Sequence, residues 1–287
     1  MEKPDVAGFD AVIHLAGLSN DVLGELNPSW TYEINHAASV RLAEIAKSVG
    51  VGRFIFASSC SLYGAAGDAI LDEQAPFNPI TAYAKSKVLV ERDLRQLAGD
   101  GFSPIYLRNA TAYGVSPRIR FDLVINNLTA WAYATGAVHL KSDGTPWRPV
   151  VHIGDISRAA AVLAAPRDIV HDQAYNIGVD SENYTIRELA AIVQETVPNC
   201  EIRYADNAGP TSGPTGLRLA STPRPSQRTP SAGMPDVECV DIYHAYRRTG
   251  LGRDDYEGPK FQRLAQLQYL LRAGQLDETL RWADRAV

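Results

Sequence analysis

The chain is 287 residues long, 45% hydrophobic and 21% charged, with a net charge of -5. That length can bury a full α/β core, and so ordinary a charge fraction excludes a wholly disordered chain. A mildly acidic total with scattered Lys and Arg leaves no electrostatic footprint for nucleic acid or for an anionic membrane surface. The longest apolar stretches, such as 9–16 and 54–57, fall far short of the roughly 20 residues that span a bilayer, so no membrane partner is expected. No signal-peptide pattern opens the chain. Cys60, Cys200 and Cys239 are odd in number and widely spaced, which fits a reducing cytoplasm. The six histidines are dispersed, with no HExxH and no His/Cys cluster, so no metal site is expected.

In chain order, residues 9–15 (FDAVIHL) form a short apolar, β-branched run of the kind a doubly covered parallel strand requires. Asn27-Pro28 reads as a helix N-cap followed by Pro at the first helical position, and Ile34, Ala38, Leu42 and Ile45 recur at helical spacing up to Gly50. Residues 53–58 (RFIFAS) predict a second buried strand, 82–97 a second helix, and 105–107 a third strand. Strand, helix, strand, helix, strand at these spacings means βαβ crossovers and a parallel sheet, so the fold class is α/β. Further helices are predicted near 121–135, over 155–164, over 185–195 with Thr185 and Glu188 as a capping box, and over 261–271. A further run stands at 148–153, residues 174–177 read as a strand, and periodicity returns at 240–246. Residues 209–235 hold six of the seventeen prolines and show neither helical nor strand period, which predicts irregular structure.

Two clusters can carry chemistry. Tyr83 and Lys87 stand four apart on a helix, so a phenol and an ammonium share one face. A tyrosine with a pKa near 10 needs roughly three units of depression to act as a base at pH 7, and a neighbouring lysine charge supplies part of it. With thirteen Tyr and six Lys, about 0.3 such pairs arise by chance, so the pair alone decides nothing. The second cluster, residues 56–64 (FASSCSLYG), is a buried strand ending in hydroxyls, where doubly wound sheets bind ligands. Those hydroxyls could equally cap the following turn.

The two together, SSCSLYG and then YAKSK about twenty residues on, resemble the extended short-chain dehydrogenase/reductase family, the branch of nucleotide-sugar epimerases, dehydratases and 4-ketoreductases. His14-Leu15-Ala16-Gly17 is similar to that family's strand-end HxAA, residues 107–114 (LRNATAYG) to its LRxxNxYG segment, and residues 148–155 (RPVVHIGD) to its RDFxxVxD segment. The resemblance implies a Rossmann-type doubly wound parallel sheet over 1–117 and 148–180, with a smaller C-terminal substrate domain over 118–147 and 181–287. It implies NAD or NADP as cofactor, a nucleotide sugar as substrate, and a homodimer. By position, Tyr83 would be the acid/base, Lys87 would hold the nicotinamide ribose and lower the Tyr83 pKa, and Ser59 would hydrogen-bond the sugar oxygen. Leu15, Ala16, Gly17, Asn35 and Ser58 would contact the cofactor. Ser61, Asn127 and Arg148 would contact the substrate, the last two at its pyrophosphate, although Asn127 could instead cap a turn and Arg148 form a surface ion pair.

Several departures from the family pattern sharpen this. Cys60 and Ser61 stand where 4,6-dehydratases carry Asp and Glu, which leaves an epimerase or a ketoreductase, and Thr111 replaces the asparagine of LRxxNxYG. The family's glycine-rich turn after its first strand has no counterpart, so the resemblance implies that the first βα units are missing and that NAD binding is impaired. Relatives carry a segment like Asp-Lys-Arg-Ser-Tyr-Arg where residues 211–216 read Thr-Ser-Gly-Pro-Thr-Gly, the product of a one-base shift, which implies a compensated frameshift over about 211–237. The alternative reading is a catalytically incompetent relative acting as a binding or regulatory module.

Overall fold

The computed structural model describes residues 2–65, 69–164, 170–206, 218–219 and 236–283. The chain divides into two compact units: Met1–Ala112 with Pro146–Thr185, and Tyr113–Thr145 with Ile186–Pro210 and Gly233–Val287. The proline-rich stretch 209–235 lies, apart from 218–219, outside the described residues, and so does most of the proposed frameshift.

The first unit is built on four parallel strands, β1 (Ala11–His14), β2 (Arg53–Ser59), β3 (Ser103–Asn109) and β4 (Gln173–Ile177), adjacent in that order. Ile55 lies opposite Ile13 and Ile105, and Phe56 opposite His14 and Tyr106. Successive residues of β2 point to opposite faces. Phe54 and Phe56 pack with Ala43 and Ala46 of α1 (Ala38–Ser48) and with Val90 and Leu94 of α2 (Ala82–Leu97). On the other face Ile55 packs with Leu107 and with Ala159, Ala160 and Leu163 of α3 (Ile153–Ala164). Helices on both faces make this the α/β parallel arrangement that the alternation of strand and helix predicts.

β1 is not covered on both sides: Ile13 is 44% exposed, and Phe9 and Leu15 more so, because β1 is the last strand of this sheet among the described residues. The helix read from Asn27-Pro28 forms as Pro28–Thr31 and Ala38–Ser48, with Asn27 Oδ1 accepting from the Ser29 amide. Between them Tyr32–Ala37 widens into a π-helical turn.

In the second unit, helices Val124–Thr135, Ile186–Thr196 and Asp236–Thr249 pack with a parallel pair, Ala137–Leu140 and Glu201–Tyr204. Its core is aromatic: Phe121 meets Tyr246, Tyr256 and Phe261 at centroid distances of 5.3–6.0 Å. Among the described residues no helix is long and apolar enough to cross a membrane.

Candidate active site

β2 ends in a hydroxyl cluster. Ser59 Oγ accepts from the Ser61 amide and donates to Ser61 Oγ at 3.0 Å, so both readings of these serines hold at once: they cap the turn Cys60–Tyr63 and stand at the carboxyl end of a strand. Facing them is the first turn of α2. Thr81 caps it by accepting from the Ala84 amide, and the acidic chains of the preceding segment hold it in place. Thr81 Oγ1 donates to Asp21 at 2.5 Å, and the Ala82 amide to Glu25 at 2.6 Å. Carboxylates at a helix N-terminus sit where the backbone amides and the helix dipole favour negative charge.

Tyr83 and Lys87 therefore emerge on one face of α2, both almost fully buried. Lys87 Nζ lies 5.5 Å from the centre of the Tyr83 ring and 4.6 Å from that of Phe56, and donates to the Ala57 carbonyl at 2.7 Å. Burial pulls the Lys87 ammonium down to about 8, against the opposing pull of the Glu91 carboxylate. Beside this face is a cavity of about 160 Å³ lined by Cys60, Ser61, Thr81, Ala84, Thr111 and Arg148. Burial pushes the Cys60 thiol up to about 12, so it stays protonated at neutral pH. Arg148 reaches the cavity from strand Trp147–His152 and bonds its own neighbour, the Trp147 carbonyl.

Asn35 sits in the π-helical turn at 2% exposure, and its side chain is spent within the protein. Its Oδ1 accepts from the Leu18 amide at 2.7 Å, and its Nδ2 donates to the Leu18 carbonyl and to Ser86 Oγ. Ser86 in turn donates to the Tyr83 carbonyl. Asn35 thus ties the segment carrying Leu15, Ala16 and Gly17 to the helix of Tyr83. Gly17, at φ +152°, lies so close that an added Cβ would stand 2.9 Å from Asn35 Oδ1. Ser58 is buried, and its hydroxyl donates to Glu91 Oε1 at 2.6 Å. Asn127 belongs to the second unit, where its Nδ2 donates to the Phe121 carbonyl at 2.8 Å, a cap of the local turn.

Sequence reasoning gave no separate role to His14, Ser39, Glu91 or Arg108. Glu91 announces itself only as the residue four beyond Lys87. His14 Nε2 meets Ser39 Oγ at 2.7 Å, and the single hydroxyl proton of Ser39 goes to the Asn35 carbonyl. The imidazole must therefore carry its proton on Nε2 and donate it. Among the described residues no group of three His, Cys, Asp or Glu is placed to hold a metal ion.

Residues 3–178, more than half the chain, match the model of the NAD dependent epimerase/dehydratase family. The chain belongs to that family. It is 28% identical over 206 residues to UDP-glucose 4-epimerase of Mus musculus, covering 65% of this chain and 59% of the relative. To UDP-glucuronate 4-epimerase of Thermodesulfobacterium geofontis it is 27% identical over 193 residues, 66% of this chain and 57% of that one. The match thus spans less than two thirds of these curated relatives. Among solved structures, MoeE5 in complex with UDP-glucose and NAD superposes with a TM-score of 0.71 at 26% identity, covering 87% of this chain and 83% of that one. The family match begins at residue 3, so it lends no support to the expected loss of the first βα units.

NAD, which the family implies, fits this site in part. Among the described residues Lys87 Nζ donates one hydrogen bond, to Ala57, which leaves two donors for ribose hydroxyls. Beyond β1, the space a Cβ would take at Gly17 is occupied by the Asn35 side chain. A glycine-rich turn to receive the diphosphate is found nowhere in the sequence.

Proposed function

We propose that the protein interconverts a hydroxyl and a ketone on a nucleotide sugar, as an epimerase or a 4-ketoreductase. The single observation that carries this reading is the burial of Tyr83 and Lys87 side by side on α2, the helix whose first turn, with Cys60 and Ser61 just beyond β2, lines a cavity. Tyr83 takes the proton of the sugar hydroxyl on oxidation and returns it to the oxygen on reduction. Lys87 stabilises the phenolate that accepts this proton and is left again when the proton is returned, since opposite charges in a dry site attract strongly. Ser59 holds the same oxygen and fixes which carbon reacts. When bound, NAD supplies the hydride acceptor and donor.

Loss of water from the sugar would need a further acid and base at residues 60 and 61. Cys60 is a thiol held protonated by burial and Ser61 is a hydroxyl, so a 4,6-dehydratase is disfavoured. Arg148 offers its guanidinium to the substrate phosphates from the cavity wall.

Replacing Tyr83 by Phe removes one proton-transfer group, and such groups contribute roughly a hundred- to ten-thousand-fold. With NAD in millimolar excess and a panel of nucleotide sugars, Tyr83→Phe is expected to lower kcat by that factor while KM stays within about threefold. A Tyr83→Phe variant as active as the parent refutes the assignment. Sugar-nucleotide binding without turnover by the parent points instead to a binding module.

A further inference from the structure

Tyr83, Lys87 and Glu91 follow one another at intervals of four along α2, so they share one face, with Glu91 deepest at 1% exposure. Its carboxylate is fully engaged. Oε1 accepts from Ser58 Oγ at 2.6 Å, Oε2 from Arg108 Nη2 at 2.7 Å, and Arg108 Nε reaches both oxygens at 3.2–3.3 Å. Arg108, on β3, is held in its turn by the Tyr63 hydroxyl and the Glu73 carbonyl. As a source of stability an apolar pair of the same volume would serve as well or better, because both charges have been taken out of water. What the ion pair adds is a fixed geometry, and the residue it fixes is Ser58. Ser58 lies between Ala57, whose carbonyl takes the Lys87 ammonium, and Ser59, whose hydroxyl stands at the site.

We propose that Glu91, locked by Arg108, is a positioning residue: through Ser58 it holds the end of β2 and so places the ammonium of Lys87 beside Tyr83. This rests on the reading of Tyr83 and Lys87 as the reacting pair. The groups facing Lys87 are Tyr83 and Glu91 from its own helix, His14 from β1, Phe56 and the Ala57 carbonyl from β2, and Arg108 from β3 behind Glu91. Other charges around α2 are engaged elsewhere: Asp21 and Glu25 at its first turn, His36 with Asp93 at 2.6 Å, and Glu73 with the Asn176 amide.

The test titrates Lys87 through folding stability, so it does not depend on turnover. Lys87 loses its proton near pH 8 in the folded chain and near 10.4 when unfolded, so between these values the folded state binds fewer protons and gains stability as pH rises. Lys87→Met, which has no proton to lose, gains nothing there. Its stability advantage over the parent therefore closes from about pH 8 upward. In a Glu91→Gln background, with the supporting negative charge gone, the closing is expected to begin lower by about half a pH unit or more. In turnover assays, Glu91→Gln is expected to lose tenfold or more in kcat with KM within about twofold, and Glu91→Asp to restore part of it.

Ser58→Ala keeps the ion pair and cuts only the tether, so it serves if Glu91→Gln does not fold. It is expected to lower kcat severalfold at unchanged KM. An unmoved Lys87 titration in Glu91→Gln, or Ser58→Ala turning over like the parent, overturns the proposal. A parent with no turnover on any nucleotide sugar defeats the functional reading instead, and the Lys87 titration still decides this one.

Discussion

His14 shows how one buried side chain can limit the pH range of the fold. Burial, and after it the Lys87 charge, hold its imidazole down at about 4, well under the ordinary 6.5. Its Nε2 proton is committed to Ser39, so acid must add a proton at Nδ1 inside a nearly closed site next to an ammonium. Between pH 6.5 and 4 the unfolded chain binds this proton and the folded chain does not, so stability falls as pH falls through that window. The limiting cost is about 3 kcal/mol. His14→Gln keeps a donor for Ser39 and has nothing to protonate. The parent is therefore expected to lose up to about 3 kcal/mol more than His14→Gln between pH 7 and pH 4, read from urea midpoints at each pH. Parallel loss in the two proteins would show that His14 is not the titrating group.

At the scale of elements, the site depends on how closely the short helix Asp21–Gly24 approaches α2. A Cβ at Gly24 would lie 2.8 Å from Tyr83 Cβ and 3.1 Å from the Tyr83 amide nitrogen, so backbone meets backbone and neither side can yield by a rotamer change. Gly24→Ala is expected to cost about 1–3 kcal/mol by overpacking. It should also push Tyr83 off its position, and a displacement near 1 Å can cost about a hundredfold in rate. Gly99→Ala, which opens onto free space, is the control and should leave stability and kcat unchanged. Gly24→Ala with the parent's kcat would show that the approach has no catalytic weight. The bounds of α2 were readable as 82–97, but of the residues the sequence offers to the core, Val88, Leu89, Leu94 and Leu97, only Leu94 is fully buried, with Val90 beside it. The partners of that helix were not readable. Glu91 meets Arg108 across 17 residues and Ser58 across 33, distances at which periodicity carries no information. The widened turn over Tyr32–Ala37 was equally hidden, since the partners of Asn35 within it, Leu18 and Ser86, lie 17 and 51 residues away. Strands Ala137–Leu140 and Glu201–Tyr204 went unread for another reason: four residues are too few to show a period.

For the molecule as a whole, the face proposed to react, Tyr83 with Lys87, is assembled, while a glycine-rich anchor for the dinucleotide phosphates is not found in the sequence. On the reading proposed above, the two donors that Lys87 keeps would orient only the ribose end of NAD. In doubly wound folds, however, much of the hold on a dinucleotide comes from diphosphate oxygens received by amides at a glycine-rich helix N-terminus. The 22 glycines of this chain include no run at the required spacing. NAD is therefore expected to bind this chain with a Kd above about 0.1 mM, which corresponds to no more than about 5.5 kcal/mol of binding free energy. Calorimetric titration of the purified chain measures this directly, and the same samples can be checked for dinucleotide retained through purification. Stoichiometric binding at micromolar NAD would mean that other backbone amides of the first unit take the diphosphate, and the weak-binding expectation would fall. A millimolar Kd with turnover restored by saturating NAD would place the deficit in binding and leave the Tyr83–Lys87 chemistry intact.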